Sequence, residues 1–437
     1  MSFKTLTYLF YLTPLLLISG PFLPDLTVVM IAFYSLYILI TKKLPGISNG
    51  LKFTFYYFMA FYFYIILRSS FSDDPLLSYE SSLFYFRFIL YIFGIVYFFL
   101  LDDRLLKRLS IVALFSIIVL SIDSIIELTT GFRIIGENSP GIEHGRLSSF
   151  FGTELIMGSF LVKMLPFSLI CIHYYYDKIE KKYLYLLVAL FLIIIYFTIY
   201  VSGERTALLN GLLFLVIIIF TIPSIKTLSK VLILGLSFVL ISLSITSFKD
   251  SSSKRFMMTF DQTIKKNNKI YIFSPEHESH IKTALRMFGD NILFGQGSKM
   301  FRNLCSDPKF EYVITMDRKV MRSINVRQQD IFSNGCSTHP HHMYVQILSE
   351  NGLIGLLFFL ILIGYLIKKV YFSIINKHYL LTNKFFPIFI LASSLLIIFN
   401  PFLPNNNIFN NWISCVIYLK LGLLIAMIEK NKFKGTT

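Results

Sequence analysis

The chain has 437 residues, 55% of which are hydrophobic, and its mean hydropathy is +0.66. Charged residues account for 15% of the chain, well below the share of about a quarter that is usual in soluble domains. This composition excludes a disordered chain, a coiled coil and a disulfide scaffold. It also argues against a soluble enzyme, because no soluble fold of this size can hide so much apolar surface. The fold class that remains is an all-α polytopic membrane protein.

Apolar stretches long enough to cross a bilayer recur along the chain and are broken at turn-forming residues. They predict about 12 transmembrane helices, with one large polar loop between the ninth and the tenth. The chain thus divides into residues 1–247 with nine spans, a cap loop at 248–338, and residues 339–437 with the last three spans and a tail. The predicted spans lie near 5–20, 24–41, 51–67, 82–100, 109–127, 153–175, 183–201, 206–222, 230–247, 353–370, 385–400 and 408–427.

The net charge of +16 comes mostly from one set of short loops, which contain Lys42, Lys43, Lys181 and Lys182 among others. Short loops rich in Lys and Arg face the cytoplasm. We therefore expect both termini to be cytoplasmic and residues 248–338 to lie on the opposite face. The basic residues do not cluster in one soluble domain, so we expect no nucleic-acid partner.

Several ionisable residues fall at membrane depth, where such residues mark either a functional site or an internal ion pair. One interpretation is a water-filled cationic cavity that opens toward the cap loop and suits a pyrophosphate. The other is that Glu154, Lys163, Arg87 and Asp123 neutralise one another as interhelical pairs. Internal pairing is favoured for Arg87, Asp123 and Lys420 individually. The full set is Arg87, Asp123, Glu127, Glu154, Lys163, Glu204, Arg205 and Lys420.

A charged turn, Ser202-Gly203-Glu204-Arg205-Thr206, interrupts a long apolar run between the seventh and eighth spans. A simple turn would not need adjacent opposite charges at this depth. We interpret Glu204 as orienting Arg205, whose planar guanidinium can present two parallel donors to phosphate oxygens.

The cap loop carries two of the four cysteines, Cys305 and Cys336. On the oxidising face of a membrane they are candidates for a disulfide, and two unpaired buried thiols are the alternative. Earlier in the loop, His277 and His280 precede a helix-like stretch that contains Arg286.

A run of histidines, His339-Pro340-His341-His342, stands at the entry to the tenth span. Their spacing is not that of a helical ligand pair, and no Asp, Glu or Cys completes a ligand set, so we expect no metal. A histidine at this boundary is better suited to act as a general base, since its pKa lies near neutral pH. The alternative is a cluster that only caps the helix.

Four motifs resemble those of the O-antigen ligase and polymerase family, and they follow one another along the chain in the family's order. Ser202-Gly203-Glu204-Arg205 is similar to the family's Ser-Gly-x-Arg turn, and His339-Pro340-His341-His342, leading to Gly352 and Gly355, is similar to its His-Pro-His-Asn motif. The other two are Arg146-Leu147-Ser148 with Phe151-Gly152-Thr153-Glu154, and Phe294-Gly295-Gln296-Gly297.

The resemblance implies an inverting, metal-independent glycosyltransferase without a cofactor, at the periplasmic face of the bacterial inner membrane. The donor would be an oligosaccharide on undecaprenyl pyrophosphate, held by the protein and membrane lipid together. The acceptor would be a glycan lipid, either a repeat unit or lipid A–core. The implied catalytic residues are His341, Arg205 and Glu204, and the implied substrate-binding residues are Arg146, Glu154, Lys163, His280, Arg286 and His339.

Two positions depart from the family pattern. His277 stands about where the family has a second loop arginine, and His342 replaces an asparagine. After Gly355 the sequence continues Leu356-Leu357-Phe358 rather than with the Thr and Trp of many ligases, which slightly favours a polymerase over a ligase. The alternative from another class is a transporter or flippase of lipid-linked sugars, but we find no inverted repeat with matching broken spans.

Overall fold

The computed structural model describes residues 3–41, 49–139, 141, 145–176, 178–221, 273–315, 332–375 and 385–433. Within these ranges, eight helices are long and apolar enough to cross a membrane, and three shorter apolar helices accompany them. The strands in this part of the chain are one antiparallel pair, β1 (Ile314–Thr315) and β2 (Phe332–Ser333). The all-α polytopic membrane fold is confirmed.

The described helices are numbered in chain order. They are α1 (Phe3–Leu16), α2 (Phe22–Ile40), α3 (Asn49–Ser70), α4 (Pro75–Ser82), α5 (Phe86–Leu101), α6 (Leu105–Thr130), α7 (Met157–Tyr174), α8 (Lys181–Val201), α9 (Arg205–Thr221), α10 (Pro275–Asp290), α11 (Phe301–Leu304), α12 (Met343–Ile375), α13 (Phe385–Ile398) and α14 (Asn411–Phe433). Single turns of 3-10 helix lie at Leu17–Ser19, Leu83–Tyr85 and Ser149–Phe151.

The predicted spans coincide with described helices, except the span at 230–247, which lies outside the described residues. Parts of the predicted cap loop, 248–272 and 316–331, also lie outside them. The tenth span differs most in its bounds. The sequence predicts it from residue 353, whereas α12 begins at Met343.

The bundle is held together by apolar side chains around α5 and α14. α5 packs between α2 and α14, and α7 packs against α6 and α9. Phe88 of α5 stacks on Tyr418 of α14 with ring centroids 5.1 Å apart. Since lipid tails are as apolar as these side chains, such close packing holds helices together in a bilayer.

The buried charges do not neutralise one another as the alternative interpretation predicts. Arg87 instead pairs with Asp25 of α2 at 3.0 Å and donates to Asn411 at 2.9 Å. Lys420 of α14 is fully buried, and its ammonium has no hydrogen-bond partner among the described residues. Arg87 therefore forms an internal ion pair as expected, but with Asp25 rather than with one of the residues that the sequence suggests. Lys420 forms no such pair among the described residues.

The two acidic residues of α6 hold the loop that follows it. Asp123 accepts hydrogen bonds from the backbone amide of Ile134 at 2.6 Å and from the Ser149 hydroxyl. Glu127 accepts from the amide of Ser149 at 2.8 Å and from the Ser139 hydroxyl at 2.5 Å. Buried carboxylates need such donors, and they fix the loop that carries Arg146.

α12 is broken near its start by a glycine in the left-handed region. Gly352 has φ 62° and ψ −164°, which L residues with a Cβ rarely adopt. The backbone groups released by the break pair with residues 292–297. The amide of Gln296 donates to Ser349 at 2.8 Å, and the amide of Leu353 donates to Ile292 at 2.9 Å. The predicted turn at Gly295 and Gly297 thus docks on the break in α12.

Residues 273–315 and 332–342 form what we call the cap segment, which packs against the start of α12 through α10. It has a small apolar core of its own, with Met287, Phe301 and Phe310 buried. A disulfide joins Cys305 to Cys336, with Cα atoms 5.0 Å apart. The bridge links α11 to the residues just before the histidine run.

Candidate active site

A cavity of about 540 Å³ lies where α7, α9, α10 and α12 begin, beside the loop between α13 and α14. Its wall combines guanidinium, imidazole, carboxylate and amide groups. The lining residues are Arg146, Leu155, Ile156, Ser159, Gly203, Glu204, Arg205, Thr206, Ser274, Pro275, Glu276, His277, His280, His341, Pro404, Asn405 and Asn406.

The charged turn before α9 fits only if residue 203 is a glycine. Gly203 has φ +68°, and a Cβ at this position would lie 2.0 Å from the carbonyl oxygen of Gly145. Because the two backbones approach so closely, Arg146 and Arg205 reach the same cavity. The glycine of the turn motif is therefore required for this close approach.

Glu204 is held by the backbone of α7. Its carboxylate accepts hydrogen bonds from the amides of Gly158 at 2.7 Å and Ser159 at 3.1 Å. A carboxylate at a helix N-terminus satisfies amides that have no partner within the helix, and it is favoured by the helix dipole. This arrangement suits a residue that fixes the turn rather than one that reacts.

The cap segment brings two histidines to the cavity on one face of α10. Ser274 caps this helix by accepting from the amide of His277, and Pro275 occupies its first position, which is the expected start signal. His277 and His280 are three residues apart and so project from the same side. The ring of His341 lies 5.0 Å from that of His277 and 5.4 Å from that of His280, between centroids.

His341 has a backbone conformation that is unusual for a residue with a side chain. Its φ is +53°, and its carbonyl accepts from the amide of Asn405 at 2.9 Å. Backbone strain of this kind costs about 1–3 kcal/mol and persists where the surroundings hold it, often at functional sites. The left-handed turn aims the imidazole into the cavity, beside the ring of His339 at 4.1 Å.

Burial keeps these imidazoles uncharged at neutral pH. It lowers the pKa of His341 to about 4, with a further contribution from the neighbouring His280. Burial lowers the pKa of His277 and of His339 to about 3, and the charge on the neighbouring histidines adds to the effect. A neutral imidazole can accept a proton, so His341 is in the protonation state that a base requires.

The loop between α13 and α14 forms another part of the cavity wall. The Asn405 side-chain oxygen accepts from the amide of Met343, and Asn406 lines the cavity. His342 turns away and donates to the carbonyl of Pro401 at 3.0 Å. The sequence shows Asn405-Asn406-Asn407 only as turn chemistry. A run of amides between two apolar spans could have signalled a polar wall.

The other predicted site residues occupy different places. Lys163 lies deeper on α7 and donates to the Ser159 hydroxyl. His339 contacts His341 but does not line the cavity. Glu154 is exposed and outside the lining. Arg286 is exposed, stacks over Tyr312 at 4.9 Å and lies outside the lining too.

Two polar residues that line the cavity, Glu276 and His277, are not predicted from the sequence. Glu276 is in the first turn of α10, and the sequence shows it only as part of a polar loop. In the sequence, His277 stands out only because it occupies the position of an arginine in the family motif. In the structure its ring lies beside that of His341, the predicted base. Among the described residues no group of three His, Cys, Asp or Glu could hold a metal ion.

Comparison with known protein families gives a match over part of the chain. A family model described as O-antigen ligase matches residues 188–360, and no curated protein matches the chain. The matched range runs from α8 to α12 and so includes the Arg205 turn, the cap segment and His341. Over this range the chain is similar to the O-antigen ligase family, and the match indicates a glycosyltransferase-like enzyme within a multi-pass membrane protein.

Proposed function

We propose that the protein transfers an oligosaccharide from undecaprenyl pyrophosphate to a hydroxyl of an acceptor glycan lipid. The reaction takes place at the periplasmic face of the bacterial inner membrane, with both termini in the cytoplasm. One observation carries this proposal: a single cavity brings the guanidinium groups of Arg146 and Arg205 together with the neutral imidazole of His341. Such a transfer needs positive groups that stabilise an anionic leaving group and a second group that accepts a proton.

The step is a single displacement that inverts the anomeric carbon. The acceptor oxygen forms a bond to this carbon while the bond to the phosphate oxygen breaks. His341 accepts the proton of the acceptor hydroxyl. Arg146 and Arg205 stabilise the negative charge that develops on the departing lipid pyrophosphate. Two guanidinium groups supply the charge that a divalent ion supplies in many nucleotide-sugar enzymes, so we propose a metal-independent reaction.

The remaining residues of the cavity have supporting roles in this proposal. Glu204 positions Arg205 through its contacts with the start of α7. His277 and His280 donate hydrogen bonds to the donor, with His277 in place of the family's second loop arginine. The Arg286 guanidinium packs over Tyr312 on the outer side of the cap segment, so we propose that it supports the cap rather than the pyrophosphate.

We favour a polymerase, which moves the growing chain to the next lipid-linked repeat unit, over a ligase to lipid A–core. The donor side is the same in both, and the sequence after Gly355 is the feature that favours the polymerase. A test is a reconstitution of purified protein with lipid-linked repeat unit and EDTA, with the products separated on a gel.

A ladder of longer lipid-linked glycans without lipid A–core supports the polymerase. One shifted product that needs lipid A–core supports the ligase instead. No product with either acceptor, together with sugar lipid accumulating in the opposite leaflet, contradicts both and indicates a transporter.

A substitution of Arg205 tests its proposed role, with a matched substitution elsewhere as the control. Arg205→Lys keeps the charge but loses the two parallel donors of the guanidinium. We expect turnover to fall by about tenfold or more, the worth of a charge-assisted hydrogen bond. Arg104→Lys is the control, since Arg104 is exposed at the start of α6 and lines no part of the cavity. Equal turnover in wild type and Arg205→Lys would remove Arg205 from the mechanism.

A further inference from the structure

A second, smaller cavity of about 50 Å³ adjoins the first on the side away from the cap segment. The two share Ser159, Thr206 and Asn406 among their lining residues. The smaller cavity continues to Lys163 on α7 and to Asn210 on α9. Each of these residues lies one helical turn beyond the shared wall, or about 5.4 Å further along the bundle.

Lys163 is a buried cation that interacts electrostatically with the Glu204 carboxylate and with the Lys420 ammonium, neither of which forms an ion pair with it. Its side chain is almost fully enclosed. It donates to the hydroxyl of Ser159 and faces the ring of Trp412 at 5.7 Å from the centroid. Among the described residues no carboxylate lies within ion-pair distance of it. A buried ammonium without a paired anion is costly, and an anionic ligand in the cavity would offset that cost.

Part of the wall of this smaller cavity is apolar. It is formed by Val162, Ile397, Ile398 and Ile413 from three different helices. A group that is both anionic and attached to a hydrocarbon chain matches a cavity lined by a cation and by branched aliphatic side chains. His341 lines only the larger cavity, so the proton acceptor is on the far side from the lipid.

We propose that each of the two cavities binds one of the two phosphates of the donor. Lys163 binds the phosphate that carries the lipid, and Arg146 with Arg205 bind the phosphate that carries the sugar. This inference rests on the proposed function. It follows that the arginine pair faces the oxygen that leaves the anomeric carbon, whereas Lys163 holds the lipid phosphate before and after transfer.

Two lipid probes distinguish the sites. Undecaprenyl phosphate has only the lipid-side phosphate, and undecaprenyl pyrophosphate has both. Their binding is measured by native mass spectrometry of the full chain in nanodiscs, for wild type, Lys163→Met and Arg205→Met. We expect Lys163→Met to weaken the binding of both lipids by about tenfold or more. We expect Arg205→Met to weaken only the binding of the pyrophosphate.

Lys107→Met is the control, since Lys107 is a half-buried lysine of α6 that packs over Tyr175 and lines neither cavity. We expect it to bind both lipids as wild type does. If Lys163→Met does not fold, Lys163→Gln, which keeps a donor for Ser159, replaces it with the same expectation. Undecaprenyl phosphate binding that survives both Lys163 variants, or that falls equally in Arg205→Met, overturns the assignment of the phosphates. A wild-type protein that binds neither lipid contradicts the proposed function instead.

Discussion

At the scale of single residues, His341 combines two properties that suit a base. Its left-handed backbone turns the ring into the cavity, and burial with the neighbouring His280 lowers the pKa of the imidazole to about 4. A cluster of imidazoles in a buried site disfavours a second charge, so the proton that His341 accepts during transfer is readily released afterwards.

Replacing His341 by asparagine tests the base. Asparagine tolerates the left-handed conformation better than most residues, so His341→Asn should fold, yet an amide does not accept a proton at neutral pH. We expect turnover to fall by about 10²–10⁴-fold, the usual contribution of a positioned base, while donor binding is retained. The assay is glycan transfer at saturating donor. His173→Asn, at the far end of α7 from the cavity, is the control, and normal turnover in His341→Asn would remove the base assignment.

The pH dependence of transfer follows from the same group. Because the pKa of His341 is lowered to about 4, the imidazole stays neutral as the pH falls through the range where an ordinary histidine gains its proton. We expect kcat/KM, which reports the free enzyme, to stay level from neutral pH down to about pH 5 and to fall below that as His341 becomes protonated. An acid limb centred near pH 6.5 would mean that a group other than His341 limits the reaction, either an unperturbed histidine or Glu204, since burial raises the pKa of that carboxyl to about 7.

At the scale of elements, the sequence predicts the spans and the order of the motifs, because apolar length and turn chemistry are local properties. It also indicates that Arg205 and His341 belong to one site through the family resemblance. It cannot predict that Arg87 pairs with Asp25, or that α10 brings His277 against His341, because these contacts depend on how distant helices pack.

The turn before α9 gives a prediction at this scale. A methyl group at Gly203 would meet the carbonyl of Gly145, and the positive φ adds strain of about 1–3 kcal/mol. We expect Gly203→Ala to move Arg205 away from Arg146, lower the thermal unfolding temperature and abolish most transfer. Gly364→Ala in α12 is the matched control, since a methyl there meets nothing within 4 Å and a helical Ala is favoured by about 1 kcal/mol. A Gly203→Ala protein with wild-type unfolding and turnover would show that the close approach is dispensable.

At the scale of the whole molecule, the cap segment and the membrane bundle build one cavity from both sides. The loop before α7 supplies Arg146, the turn into α9 supplies Glu204 and Arg205, α10 supplies two histidines, and the loop between α13 and α14 holds the start of α12. The disulfide from Cys305 to Cys336 ties the cap segment to the chain just before the histidine run. The proposed proton acceptor, His341, belongs to the cap segment. The membrane helices without the cap segment would therefore not form a complete site.

The most direct test of this account is a structure of the His341→Asn protein in a nanodisc with undecaprenyl-pyrophosphate-linked repeat unit, determined by electron cryomicroscopy. The inactive variant should retain the donor. We predict the pyrophosphate beside Arg146 and Arg205, with the anomeric carbon facing position 341 and the sugars under the cap segment. A donor bound elsewhere on the protein, with this cavity filled only by water, would contradict the central claim.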